Sequence, residues 1–250
     1  MINIEKCREE FENYVNNYDL SNEKIYYKYY HTLRVSNNSR KIALSLNLND
    51  EEVKLAELIG LFHDIGRFEQ VKRYDNFNDS VTLDHAELGV SILFDENKIR
   101  DYIDDTKYDE IIKKAVYIHN KISIPSEYKE EILLHSKIIR DADKLDILDS
   151  SSNNIINSLS KEDNVSKEVY DCFINKKLVS WKDVKTELDK VLINLNFVYD
   201  LNYPYSYNVL KKEQYMDKII DALNLKEEEN IKVFNEIKTI INNELNKYGG

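Results

Sequence analysis

The 250-residue chain has only two prolines, five glycines and two cysteines. With so little proline, few helices are interrupted, and with so little glycine there is no phosphate-cradling loop of the P-loop or dinucleotide-binding type. Cys7 and Cys172 lie far apart and follow no metal spacing. That excludes a disulfide framework and suits a reducing compartment, so a cytoplasmic location is expected. No stretch approaches the ~20 uncharged apolar residues of a membrane span. Residues Met1 to Tyr14 carry Glu5, Lys6, Arg8, Glu9, Glu10 and Glu12, and so lack the apolar centre of a secretory signal. Positive charge is also scarce: the net charge is −11. General nucleic-acid binding rests on Lys and Arg against phosphates, which this balance disfavours. A small phosphorylated substrate remains compatible, because a bound metal can dominate the field around it.

What is present is helical patterning. The chain is 42% hydrophobic, enough for a sizeable core, and shows almost no period-2 alternation. The fold class is therefore all-α, and the lack of a linker or internal repeat predicts a single domain over residues 1–250. Ile4 to Tyr18 reads as an amphipathic helix. A second helix, capped by Ser21, ends near Asn47, and Asn49 or Asp50 starts a third. Gly66 is the expected helix stop after it, and Lys72 to Ser80 is the expected surface loop. Thr82 or Asp84 caps the following helix. Asp95 to Lys107 reads as a charged connector, Tyr108 to Asn120 and Glu130 to Ser150 as helices. The last third predicts helices over Asn154 to Leu159, Lys167 to Cys172, Trp181 to Asp200, Tyr205 to Leu223 and Lys226 to Tyr248, with a clear break at Asn202 to Tyr205.

Four of the five histidines end or open an apolar helix stripe. His31 shares a face with Val35, Ile42 and Leu46; His63 closes the run from Val53; His85 opens Leu88, Gly89, Ile92 and Leu93; His119 closes Ile112, Ala115 and Val116. Asp64 follows His63 directly, and Asp141 or Asp143 supplies a second carboxylate. A buried imidazole beside a buried carboxylate is costly unless both are paired or hold a metal. Both can reach one ion only where the helix faces it squarely or ends at it. Four imidazoles and two carboxylates suit one or two divalent metals of the Mn, Fe, Co, Ni or Zn type, or Mg. They exceed the needs of one tetrahedral structural zinc and fit two metals sharing a carboxylate.

This ordered pattern resembles the HD-domain superfamily of metal-dependent phosphohydrolases. The phrases that carry it are His31-Thr-Leu-Arg-Val, Leu61-Phe-His63-Asp64-Ile-Gly, Asp84-His85-Ala-Glu-Leu-Gly and Asp141-Ala-Asp143-Lys144-Leu-Asp146. The resemblance implies a helical metal core over about residues 27–149, with helices 150–250 packed on it. It implies His31, His63, Asp64 and Asp143 as one ligand set, with Asp64 bridging to a second metal on His85 and His119. The choice of Asp143 over Asp141 rests on the family phrase. Members that hydrolyse cyclic di-nucleotides carry a second histidine where this chain has Asn120, and their Gly-Tyr-Pro signature is missing here.

The implied activity is hydrolysis of a small phosphorylated compound or nucleotide by a metal-bound hydroxide, with Asp64 and Arg67 as catalytic groups. Arg67, Lys144 and Arg34 are the cations expected to meet the substrate, Arg67 because a guanidinium grips phosphate with two donors. Two alternatives share the ligand order or the fold: a di-iron oxygenase of the HD type, and a non-catalytic regulatory module with a metal site. His135 matches no ligand and reads as a partly exposed helix histidine. Trp181 and the tyrosines at 26–30 and 203–207 read as packing residues.

Overall fold

The computed structural model of the chain describes residues 1–153 and 163–248. Every regular element among them is helical, so the fold is all-α. The contacts divide the chain into two compact units, Met1–Asp143 and Lys144–Gly250.

The first unit opens with α1 (Ile4–Val15), α2 (Glu23–Ser45) and α3 (Asp50–Phe62). Asparagines begin all three. The side chains of Asn3, Asn22 and Asn49 accept from the backbone N–H groups of Lys6, Lys24 and Glu52, each satisfying a donor that the first helical turn leaves unpaired. Asn22, rather than Ser21, is thus the cap of α2. Helix α2 packs along α3 through a close approach at Gly60, where a Cβ would lie 2.5 Å from the Ser36 Cα.

The chain then breaks at His63-Asp64 and re-enters a helix, α4 (Ile65–Tyr74), which packs on α5 (His85–Val90). Gly66 is therefore not a stop. It lies inside α4, and the absence of its side chain lets α5 approach: a Cβ there would meet the His85 carbonyl oxygen at 2.2 Å. Lys72 to Tyr74 belong to α4 as well, so the loop is shorter than the polar sequence suggests. Asp84 caps α5, accepting from Ala86 and Glu87, and the helix runs on into a π-helical turn at Ser91–Asp95. Helix α6 (Ile99–Tyr102) is the short helix of the charged connector; α7 (Asp109–Ile118) packs on α3 and α5. Helix α8 (Glu130–Asn153) carries the boundary between the units. His135, on α8, is 1% exposed, so it is a core residue and not a partly exposed one.

The second unit holds α9 (Lys167–Ile174), α10 (Glu187–Leu195), α11 (Pro204–Glu213), α12 (Tyr215–Ala222) and α13 (Glu228–Tyr248). Two expected long helices are divided. Trp181 to Asp200 becomes a 3₁₀ turn, then α10 behind a Thr186–Asp189 capping box, then a second 3₁₀ turn. Tyr205 to Leu223 is split at Gln214, which adopts φ 56°. Trp181 is 66% exposed and is not a core residue. Pro204 opens α11 at the position where a missing N–H costs nothing. The helix expected over Asn154 to Leu159 lies outside the described residues.

Candidate metal centre

Four helix ends and two helix interiors converge in the first unit. His63 and Asp64 occupy the break between α3 and α4, which is how two adjacent side chains reach one point. Asp64 sits at the N-cap position of α4 but its carboxylate makes no capping bond, leaving both oxygens for the centre. His85 opens α5, His119 follows α7, His31 lies in α2 and Asp143 in α8. All four histidines are buried.

The six side chains form two clusters hinged on Asp64. Around its Oδ2, His31 Nε2 lies at 3.3 Å and His63 Nε2 at 3.5 Å. Asp143 Oδ1 completes this set, 3.2 Å from His31 Nε2 and 3.8 Å from His63 Nε2. Around Oδ1, His85 Nε2 lies at 3.3 Å and His119 Nε2 at 3.8 Å.

The imidazoles are set up as ligands and not as hydrogen-bonding partners of one another. His63 Nδ1 faces the Gly60 carbonyl at 2.8 Å, and His119 Nδ1 faces the Val116 carbonyl at 2.6 Å. A carbonyl only accepts, so these Nδ1 atoms carry the proton, as does His85 Nδ1 against Asp79 Oδ2 at 2.7 Å. Burial, with Arg67 adding to it, holds His85 down to about 4, and burial also lowers His63, so both rings are neutral at pH 7. Each then has a bare Nε2 lone pair. His31 and His63 Nε2 are 3.2 Å apart, and in the second cluster the Nε2 atoms of His85 and His119 face each other at 3.0 Å. Lone pairs turned toward each other at that distance are favourable around a shared cation. Ligands about 2.1 Å from one divalent ion stand roughly 3.0–3.4 Å from each other. The donor set therefore fits one metal on His31, His63 and Asp64, with Asp143 beside the two imidazoles, and a second on Asp64, His85 and His119. A further trio, Asp79, Asp84 and His85, has its carboxylates engaged by hydrogen bonds instead.

Both acids stay ionised. Burial works against the charge of Asp64, but Lys28 holds it well below the usual carboxylate range. For Asp143 burial is likewise outweighed, first by the hydrogen bond from His31.

Of the expected cations, Arg67 is at the centre. Its Nη1 donates to Gln70 Oε1, the Phe77 carbonyl and Asp79 Oδ1 at 2.7, 2.6 and 3.0 Å. Its Nε is buried without a hydrogen-bond partner, 3.6 Å from Asp64 Oδ1. Lys144 is ion-paired at 2.8 Å with Asp200, within the second unit, and Arg34 is exposed on α2. The sequence reasoning missed Lys28, whose Nζ is 2.6 Å from Asp64 Oδ2 and only 13% exposed. It lies three residues before His31 on the same helix, hence on the same face, and that spacing was the available signal. The tyrosines around it are not simple packing residues either: Tyr26, Tyr27 and Tyr30 are half exposed, and Tyr27 stacks on the His31 ring with centroids 5.9 Å apart.

Among the described residues no helix is long and apolar enough to cross a membrane. No curated protein and no solved structure matches the chain significantly. The family model for the HD domain matches residues 29–148, a span that includes all six candidate ligand residues, and the chain carries an HD domain there.

Proposed function

We propose that this chain is a metal-dependent phosphohydrolase acting on a small phosphorylated compound, a nucleotide among the candidates. The observation that carries the reading is the placement of Asp64, each of whose oxygens faces a different histidine cluster. When bound, divalent metals would supply an acidified water and would offset charge on a phosphoryl group. Asp64 would join the two ligand sets, and His31, His63, Asp143, His85 and His119 would complete them.

Around that carboxylate the chain arranges two cations. Lys28 Nζ meets Asp64 Oδ2, and the Arg67 Nε–H is buried with no acceptor of its own. A substrate oxygen arriving there would satisfy the Arg67 donor and draw Lys28 from Asp64. Phe77 lies between them, its ring centroid 5.5 Å from Lys28 Nζ and 5.5 Å from the Arg67 Cζ. An apolar wall between two cations keeps their charge poorly solvated, which strengthens their hold on an anionic group. Lys144 and Arg34 remain proposed substrate contacts on sequence grounds alone.

The test is an anaerobic assay of Mn- or Mg-supplied protein on a panel of phosphate esters. Phosphate release, lost in Asp64→Ala, supports the reading. Silence there, with oxygen uptake by iron-loaded protein, identifies the oxygenase alternative; silence in both identifies the regulatory module.

A further inference from the structure

We infer that Asp79 is a positioning residue that fixes the tautomer of His85 and thereby its competence as a ligand; the inference rests on the metal centre of the proposed reading. The argument starts from where each histidine sits on its helix. His63 and His119 follow a helical turn, so each finds a backbone carbonyl three residues back, Gly60 and Val116, to accept from Nδ1. His85 is the first residue of α5 and has no such turn behind it. Its Nδ1 would be left without an acceptor, and the ring would be free to carry its proton on Nε2, where a metal cannot bind.

Asp79 supplies the acceptor from the connection between α4 and α5. Its Oδ2 lies 2.7 Å from His85 Nδ1, and the Asn120 amide approaches the same oxygen at 3.5 Å. Its Oδ1 is anchored to α4 by Arg67 Nη1 at 3.0 Å and by Gln70 Nε2 at 2.9 Å. The fully buried Gln70 also donates to Thr82 Oγ1 and the Leu83 carbonyl at 2.8 Å each, tying down the loop that carries the carboxylate. Unlike the two carbonyls, this acceptor is a side chain and can be changed without touching the backbone. Arg67 accordingly has a second role beside its free Nε: it holds Asp79, which orients His85.

An ionised carboxylate only accepts, whereas an amide can turn its NH₂ toward Nδ1 and stabilise the wrong tautomer. In Asp79→Asn, imidazole ¹⁵N spectra of the metal-free protein should show His85 shifting to the Nε2–H form, while His63 and His119 keep the proton on Nδ1. Mn(II) titration should show the weaker of two binding steps losing 10–100-fold in affinity, the usual cost of removing a ligand's supporting hydrogen bond. Asp79→Glu should recover part of that affinity. Thr82→Ala loosens the same loop without touching His85 and should bind Mn(II) close to the wild type. An unchanged His85 tautomer in Asp79→Asn overturns the inference, and so does an equal affinity loss in Thr82→Ala. Metal binding without phosphatase activity in the wild type would defeat the proposed reaction alone, because the tautomer is read in the metal-free protein.

Discussion

His135→Leu should flatten the acid side of the stability curve. Both ring nitrogens of His135 are buried without a hydrogen-bond partner, and burial alone lowers its pKa to about 4. The unfolded chain would titrate near the ordinary value of about 6.5. Above that pH neither state holds the proton, and the residue contributes no pH dependence. As pH falls from 6.5 toward 4, the unfolded chain binds a proton that the folded one excludes, and stability is lost at up to about 1.4 kcal/mol per pH unit. Between pH 7 and pH 5 the loss is about 2 kcal/mol, a large part of a typical domain's stability. Leucine has no proton to take up, so this share of the pH dependence should vanish in the variant. The assay is urea denaturation of both proteins with chelator present, followed by circular dichroism. The single tryptophan is unsuitable, since Trp181 is exposed and lies in the second unit. Parallel stability–pH curves for wild type and variant would show that His135 is hydrogen-bonded or solvated, contrary to its place in the core.

Two further perturbations probe the parts that position the site. Gly66→Ala should lower stability by about 1–3 kcal/mol, because the added methyl would have to displace the backbone of α5 at His85 and Gly89; thermal denaturation reads this. Lys28→Met should leave metal uptake intact but lower kcat/KM by roughly 10–100-fold, the worth of one charge-assisted hydrogen bond to substrate; unchanged kinetics on every active substrate would return Lys28 to a structural role.

The centre was more legible in the sequence than the scaffold around it. Each of the four clustered histidines ends, opens or continues an apolar stripe, so its burial follows from helical periodicity alone, and the ordered phrases group Asp64 and Asp143 with them. Lys28 was hidden because a lysine on a helix face is usually solvated, and its partner lies 36 residues away in sequence. Asp79 was hidden for a similar reason: its role depends on how a polar loop folds back over α4. Gly66 misled because a glycine after a helix commonly ends it, whereas here the missing side chain serves a tertiary approach that periodicity does not encode. Over Trp181 to Asp200 and Tyr205 to Leu223, apolar residues keep a helical spacing across short interruptions. Local turns and a positive φ at Gln214 then divide what the pattern joins.

The most direct test of the account is metal stoichiometry in protein purified without chelator, for the wild type, His85→Ala and Asp64→Ala. If two ligand sets share Asp64, the wild type should hold about two equivalents of divalent metal, His85→Ala about one, and Asp64→Ala less than either, with all three remaining helical. Equal metal content in wild type and Asp64→Ala, or a wild type that takes up no metal when supplied with Mn, Fe or Zn, would contradict it.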